Sequence, residues 1–423
     1  MWRVVVRKSW IDAMKILFVC QHYKPEPFRL SDICEGLVQR GHEVAVLTGI
    51  PNYPEGEIYA DYRKGKKRRE TINGVTIFRS YTIARRKNTL YRILNYFSFA
   101  LSSTIGVLFG RYKAKDGSDF DCVFVNQLSP VMMAWAGMAY KNKYNKPMFL
   151  YCMDVWPDSL IVGGVKENGL IYKIFEFISK KVYQASDYIF VTSLAFKDYF
   201  VKKFNIPRDS IAYLPQYAED LFLPDELKTN KNTINLTFAG NIGKAQNLET
   251  ILKAASLLEK IPDLPRKIHF HFVGDGTELS NMQELSRTLG LENVSFYGRR
   301  SVEEMPEFYK KSDAMLVSLI GDSIISCTMP GKVQSYMAAG KPIIGAISGD
   351  TQRVVEEAQC GFISPEKDVD QLVKNICEFS MLSIEKKEEL GKKARSYYEE
   401  HFSKDRFMAS LEMYLGVRNE KDK

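Results

Sequence analysis

Five short turns in the C-terminal half of this chain put glycine beside a lysine, a hydroxyl or an acid directly after an apolar run. The first is Phe238-Ala239-Gly240-Asn241-Ile242-Gly243-Lys244, between a strand-like and a helix-like segment. Glycine there lets backbone N–H groups approach an anion, the helix start adds a positive field, and Lys244 adds a full charge. Val273-Gly274-Asp275-Gly276 is the second and Phe296-Tyr297-Gly298-Arg299 the third, the latter suited to hold a nucleobase. In the fourth, Ser326-Cys327-Thr328-Met329-Pro330-Gly331-Lys332, proline and glycine open a helix that carries Ser335 one turn on. Gly349-Asp350-Thr351 is the fifth. Singly, each is an ordinary glycine turn with a solvated neighbour. Five along one sheet edge point to a phosphate-bearing ligand, held by Asn241, Gly243, Lys244, Gly274, Gly276, Gly298, Arg299, Thr328, Lys332, Ser335 and Asp350.

A second set lies in the N-terminal half. His22, Glu26, Arg29 and Asp32 follow the first apolar run, Pro51-Asn52-Tyr53-Pro54-Glu55-Gly56 the second, and Asp154-Val155-Trp156-Pro157-Asp158-Ser159 a later one. Acids, a histidine and aromatics at successive strand ends suit a reacting hydroxyl and its sugar ring. Each residue alone would be explained as a helix cap or a core group. The first strand runs into Gln21-His22-Tyr23-Lys24-Pro25 rather than G-x-G-x-x-G, which disfavours a nicotinamide or flavin dehydrogenase, and no G-x-x-x-x-G-K-[ST] P-loop is present.

The elements that must position these residues alternate along the chain. Runs such as KILFVC (15–20), EVAVLTG (43–49), CVFVNQ (122–127), PMFLYCMDV (147–155) and YIFVTS (188–193) are separated by helical segments, the longest at 89–112. The polar stretch 214–233 breaks the rhythm and reads as a linker. The rhythm restarts with INLTFAGN (234–241), KIHFHFVGDG (267–276), VSFYG (294–298), AMLVSLI (314–320), KPIIGAI (341–347) and GFISP (361–365). Apolar runs alternating with helices imply parallel strands joined by right-handed crossovers, and ligands at their carboxyl ends. The 423 residues thus divide into an N-terminal extension (1–13), a first α/β domain (14–215), a linker (216–233), a second α/β domain (234–403) and a closing helix from 404. The extension is no convincing signal peptide: its apolar run is only Val4-Val5-Val6, and Met14 looks like the natural start.

Charge is concentrated. Between Arg63 and Lys115 there are fourteen Lys or Arg and one acid, Glu70, in a chain of net charge +8, so the remainder is about −5. This run flanks the uncharged segment Ile93–Gly110, which Asn95, Ser98, Ser102, Ser103 and Thr104 make too polar for a confident transmembrane span. The pattern fits a helix lying on an anionic inner leaflet, with Arg79, Arg85, Arg86, Lys87, Arg92 and Arg111 near lipid phosphates and Phe97, Leu101 and Leu108 partly inserted. A core helix with a solvated flank is the alternative. No RNP, KH or zinc-finger pattern supports nucleic acid as a partner. Seven scattered cysteines without a C-x-x-C pair read as reduced, mostly buried thiols of a cytoplasmic protein.

Taken together, GNIGKAQNLETIL, FVGDG, FYG, MPGKVQSYMAAGKPIIGAISGD, CGFIS, QHYKPE, RGHEVAVLTGIPNYP and DVWPDS resemble bacterial glycosyltransferase family 4, and within it the fucosamine-type transferases of O-antigen and capsule assembly. The likeness spans about residues 14–415. It implies a GT-B fold, with two facing Rossmann-like doubly wound domains, a cleft between them, and the last helix returning to the first domain. It also implies a metal-independent, usually retaining enzyme that needs no cofactor beyond its nucleoside-diphosphate-sugar co-substrate. One departure stands out. Many members carry E-x₇-E around the helix that opens here near Pro330, and the two glutamates would fall at Cys327 and Ser335. Because P-x-K-x-x-S-Y variants occur within this subfamily, the departure reads as a subgroup feature rather than a dead enzyme.

The reaction expected from the resemblance moves an N-acetylated amino or deoxy-amino sugar, UDP-linked, to a lipid-linked saccharide at the inner face of the plasma membrane. No Asp-x-Asp motif sits at a suitable strand end, so Lys244, Gly243 and Lys332 are expected to stabilise the leaving diphosphate. Asp154 or His22 would position the acceptor hydroxyl, with Glu26, Arg29, Asn52 and Trp156 holding its sugar. A sugar-nucleotide epimerase of the same fold and a non-catalytic binding subunit are the competing readings. The basic stretch counts against the first, and the missing glutamate pair is the only support for the second.

Overall fold

The computed structural model describes residues 12–86, 88–167, 169–224, 232–262, 264–321 and 328–419. Lys87, Ser326, Cys327 and most of the N-terminal extension therefore lie outside the described residues. The first apolar rhythm builds a sheet from β1 (Lys15–Val19), β2 (Glu43–Thr48), β3 (Arg69–Ile72), β4 (Val75–Arg79), β5 (Cys122–Gln127), β6 (Met148–Cys152), β7 (Tyr188–Val191) and β8 (Ile211–Tyr213), in the order β3-β4-β2-β1-β5-β6-β7-β8. Only β3 and β4 pair antiparallel. β5 and β6 are buried at every position, which is why they read as unbroken apolar runs. Strand β3 escaped the sequence reading because its composition is polar. Its signal was the Asn73-Gly74 pair, whose positive φ values of 50° and 84° close a two-residue hairpin onto β4.

The helices of this unit are α1 (Leu30–Gln39), α2 (Thr89–Leu108), α3 (Trp135–Tyr144), α4 (Ser159–Val162), α5 (Leu170–Ala185) and α6 (Ala195–Phe204). Strand order steps one way from β1 to β2 and the other way from β4 through β8, so right-handed crossovers place α1 on one sheet face and α2, α3, α5 and α6 on the opposite one. The Asn88 side chain caps α2 by accepting from the Tyr91 N–H at 2.8 Å, and Gly110 at φ 68° ends it. Asn95, Phe99, Ser103 and Gly106 form its inward face.

The second rhythm builds β9 (Thr233–Ala239), β10 (Lys267–Val273), β11 (Val294–Gly298), β12 (Ala314–Ser318), β13 (Ile343–Ala346) and β14 (Gly361–Ser364), all parallel, in the order β11-β10-β9-β12-β13-β14. Around it lie α7 (Leu248–Glu259), α8 (Leu279–Thr288), α9 (Met305–Lys311), α10 (Gly331–Ala338), α11 (Asp350–Ala358), α12 (Val369–Met381) and α13 (Ile384–His401). The final helix, α14, is Lys404–Asn419.

The chain divides into a unit of residues 1–191, 197–214 and 408–423 and a unit of residues 192–196 and 215–407. Within the first, Glu412 of α14 pairs with Arg40 at 3.1 Å and His42 at 3.2 Å, and Tyr414 packs on Tyr188 and Phe190. Within the second, part of the stretch read as a linker enters the core. Ala218 and Phe222 are buried, and Phe222 stacks on Tyr309 with ring centroids 4.9 Å apart. Six described cysteines are free thiols, and all but Cys377 are buried.

Candidate functional site

In each sheet the strand order reverses at one place: between β1 and β5 in the first, between β9 and β12 in the second. Loops at the carboxyl ends there diverge and leave a crevice, the usual ligand site of open α/β sheets.

In the second unit the loops after β9, β10 and β11 are laced together through main chain. The Gly240 N–H donates to Val273 O at 2.9 Å, Ile242 N–H to Asp275 O at 2.8 Å, and Gly274 N–H to Gly298 O at 2.9 Å. Only glycine fits at 274: φ is 149°, and a Cβ there would lie 1.8 Å from Gly240 O. Three of the five turns therefore form one rigid rim. Asn241 is exposed with its amide lying over Gly243 and Gly276, Lys244 is exposed, Gly243 precedes the short turn Lys244–Gln246, and Arg299 stands exposed just beyond β11.

Lys332, second residue of α10, reaches this rim from the other side of the switch point. Its ammonium donates to Gln246 Oε1 at 2.8 Å and sits 3.6 Å from the Phe238 ring centroid. Gly240 leaves it room, since a Cβ there would stand 3.2 Å from Lys332 Nζ. Gln246, Phe238 and the Tyr336 hydroxyl, which bonds Ala239 O and N–H at 3.1 Å each, hold the place where Lys332 meets β9. The sequence reading missed these three. Gln246 was visible two residues after Lys244, whereas Phe238 and Tyr336 looked like plain core. Burial pushes the Lys332 pKa down to about 7. A cation with no carboxylate among its described contacts, at a helix start and beside a glycine rim, is suited to an incoming anion.

The remaining residues of that set are placed differently. Thr328 is half-buried before α10. Ser335 is buried, its hydroxyl 3.4 Å from Gly331 O and 3.5 Å from Glu219 Oε2. Asp350 is buried: its Oδ2 accepts from the Ser193 hydroxyl and the Leu194 and Ala195 N–H groups, and Arg353 lies 3.6 Å from Oδ1, so it anchors residues 192–196.

In the first unit the loops after β1 and β2 form a buried network. His22 Nδ1 pairs with Glu26 Oε2 at 3.1 Å, and its ring stacks on Phe28 at 5.0 Å. Glu26 Oε1 accepts from Asn52 N–H at 2.8 Å and Tyr53 N–H at 2.7 Å. The Asn52 amide donates to Ile50 O, while its Oδ1 accepts from Arg85 N–H and Asn95 Nδ2. Glu26 and Asn52, expected to hold an acceptor sugar, are buried and engage their polar atoms in shaping the 51–56 loop. Trp156 is likewise buried, its indole N–H shared between Ser129 Oγ at 3.0 Å and Asp154 Oδ2 at 3.1 Å. Asp154 also accepts from the Ser129 and Ser159 hydroxyls, which makes it an orienting hub rather than a free base. Arg29 is half-buried at the start of α1. With Nδ1 engaged by the carboxylate, His22 keeps Nε2 as the nitrogen able to meet a hydroxyl. Beside this network a cleft of about 720 Å³ is lined by Glu55, Gly56, Glu57, Ile58, Arg63, Ala84 and Arg86. The described residues contain no group of three or more His, Cys, Asp or Glu placed to hold a metal ion.

Residues 29–216 match the family model described as Glycosyltransferase Family 4, and residues 221–397 match the model described as Glycosyl transferases group 1. This chain is a glycosyltransferase, a family 4 domain followed by a group 1 domain. WcaI of Escherichia coli K12, named for colanic acid biosynthesis, is 23% identical over 77% of this glycosyltransferase and 82% of its own length. WbjE of Pseudomonas aeruginosa, named as a glycosyltransferase, is 25% identical over 62% and 67%. Among solved structures, sucrose-phosphate synthase of Thermosynechococcus elongatus superposes with a TM-score of 0.70 at 14% identity, covering 96% of this chain and all of that one. HepE of Anabaena, solved with UDP and glucose, gives 0.67 at 15%, covering 96% and 100%. The two doubly wound sheets are those of the GT-B fold.

Proposed function

We propose that this glycosyltransferase moves an N-acetylated amino or deoxy-amino sugar from a UDP-linked donor to a lipid-linked saccharide in surface polysaccharide assembly. The observation that carries the reading is the ammonium of Lys332 beneath the Gly240 rim at the switch point. A sugar nucleotide presents a diphosphate that gains negative charge as the glycosidic bond breaks. Lys332, the Gly243 N–H and Lys244 would stabilise that charge without a metal or cofactor. The acceptor oxygen bonds to the anomeric carbon, the carbon–oxygen bond to phosphate breaks, and its electron pair stays on the diphosphate. With retention, the departing phosphate oxygen takes the hydroxyl proton, so the engaged state of Asp154 is no obstacle. His22, fixed by Glu26, would position that hydroxyl. The naming of WcaI for colanic acid biosynthesis and the UDP bound in HepE support polysaccharide assembly and the choice of base.

The reading includes work at the inner leaflet of the plasma membrane. No helix among the described residues is long and apolar enough to cross a bilayer. Helix α2 instead exposes Leu90, Ile93 and Leu94 in its first turns and Leu101, Ile105 and Leu108 toward its end, with Arg92 exposed in the first turn and Arg111 just beyond the helix. Two contacts expected there are corrected. Phe97 is half-buried against Trp135, and Arg79 is buried in a pair with Glu70 and donates to Lys24 O.

Incubation with UDP-sugars and a polyprenyl-diphosphate-linked sugar, read by mass spectrometry and by NMR of the new anomeric centre, tests the proposal. Transfer with retained configuration in EDTA is expected. Isomerised free sugar nucleotide would instead identify an epimerase, and binding without turnover a binding subunit.

A further inference from the structure

Helix α5 has two apolar faces. Tyr172, Ser179, Val182 and Tyr183 are buried on one. That face also holds the site: Phe175 meets Trp156 edge-on at 5.2 Å, and the Tyr172 hydroxyl lies 3.3 Å from Asp158 Oδ1. On the opposite side Leu170, Ile171, Ile174 and Phe177 are exposed by 76, 55, 49 and 64%. Their spacing places all four along one side of the helix, and no described side chain covers them. A water-facing stripe of this kind marks an interaction surface.

Its surroundings select the partner. Lys166, Lys173, Lys180 and Lys181 are exposed around the stripe, against Glu167 and Glu176. The Lys181 ammonium lies 5.6 Å from the Phe177 ring centroid, at the border of the apolar strip. Cations edging an apolar strip on a surface helix suit the headgroup level of an anionic bilayer, where apolar groups insert and ammonium groups meet phosphate. Topology adds a second argument. Helices α2 and α5 lie on the same face of the first sheet, and both pack against the turn Val131–Ala134. Helix α5 follows the carboxyl end of β6 through the 154–159 loop, and its first turns touch that loop through Tyr172 and Phe175, so the exposed groups at the α5 start stand on the side of the sheet that carries His22 and Asp154.

We propose that the exposed face of α5 is a second membrane contact, which with α2 seats the first unit on anionic lipid and brings the acceptor side of the site to the bilayer surface. This rests on the lipid-linked-acceptor reading above.

The test uses the full chain and vesicles of phosphatidylcholine with and without phosphatidylglycerol. Replacing Leu170, Ile171, Ile174 and Phe177 by serine should weaken co-sedimentation with anionic vesicles by more than about tenfold, since four exposed apolar side chains no longer insert. Binding of UDP-N-acetylglucosamine, measured by thermal shift, should stay at the wild-type value and certify the fold. In Phe177→Trp, fluorescence should shift to the blue on vesicle addition and be quenched by brominated lipid. Unchanged sedimentation of the serine variant, or an unquenched tryptophan on a bound protein, overturns the proposal. So does a wild-type dimer that the serine variant breaks, which would assign the face to a second copy. Wild-type protein that ignores anionic vesicles yet transfers sugar to a soluble acceptor overturns this proposal alone. Vesicle binding through α5 without transfer overturns the function reading and leaves the surface standing.

Discussion

Replacing Lys332 by methionine should stabilise the ligand-free protein and cripple donor binding. A lysine ordinarily holds its proton to about 10.5, whereas burial at the Gly240 rim brings Lys332 to about 7. The unfolded chain therefore stays protonated between those values while the folded chain is neutral. Below pH 7 the folded state must carry the charge, at a cost of up to roughly 5 kcal/mol relative to water. That penalty is present in full at low pH and is relieved as pH rises from 7 to 10.5. The Lys332→Met variant avoids it, so its advantage in unfolding free energy should be about 1–3 kcal/mol at pH 6 and shrink by pH 9. Donor binding runs the other way. If only the ammonium form accepts the diphosphate, apparent affinity scales with the protonated fraction, about one half at pH 7 and about a tenth at pH 8. Affinity for UDP-N-acetylglucosamine, whose diphosphate does not titrate here, should fall about tenfold from pH 6 to pH 8. Lys332→Arg, charged throughout, should give a flat profile. Isothermal titration in buffers of different ionisation enthalpy would count the proton taken up. A wild-type profile that is flat, or one that Lys332→Met reproduces, would refute the assignment.

Three further outcomes follow from the same geometry. Lys244→Ala should lower kcat/KM by about 10²–10³ with little change in melting temperature, because its side chain is exposed and its only expected partner is the leaving group. Gly274→Ala should abolish measurable UDP-N-acetylglucosamine binding by calorimetry, since the added Cβ drives into Gly240 O and parts the rim; wild-type binding would show that the rim is not the site. His271, hydrogen-bonded to the Tyr297 hydroxyl at 2.8 Å and Asn235 Oδ1 at 3.0 Å, is pushed down to about 4 by burial and by His269. The unfolded chain therefore binds this proton first, and stability should fall by up to about 3 kcal/mol as pH drops from 6.5 to 4, a slope in urea titrations that His271→Asn should reduce.

Much of this protein is decided locally and could be read as such. Parallel strands buried on both faces must be apolar throughout, so the alternation of such runs with helices disclosed both sheets and their order of appearance. The glycine turns were legible because only glycine tolerates the backbone at positions such as Gly274, and that constraint acts on one residue at a time. Whether a polar side chain faces a ligand or the protein is not a local property. Glu26, Asn52, Asp154, Trp156 and Asp350 have the types and spacing of a ligand set, yet their hydrogen bonds go to Asn52 and Tyr53, to Arg85 and Asn95, to Ser129 and Ser159, and to residues 193–195. All of those partners but Ser159 come from distant strands and loops, and a buried acid takes whichever donors folding brings within reach. Lys332 shows the converse. Its charge and its place at a helix start belong to the sequence. Its meeting with Phe238, Gln246 and Gly240, and the loss of water that lowers its pKa, exist only because β9 and α10 converge on one switch point.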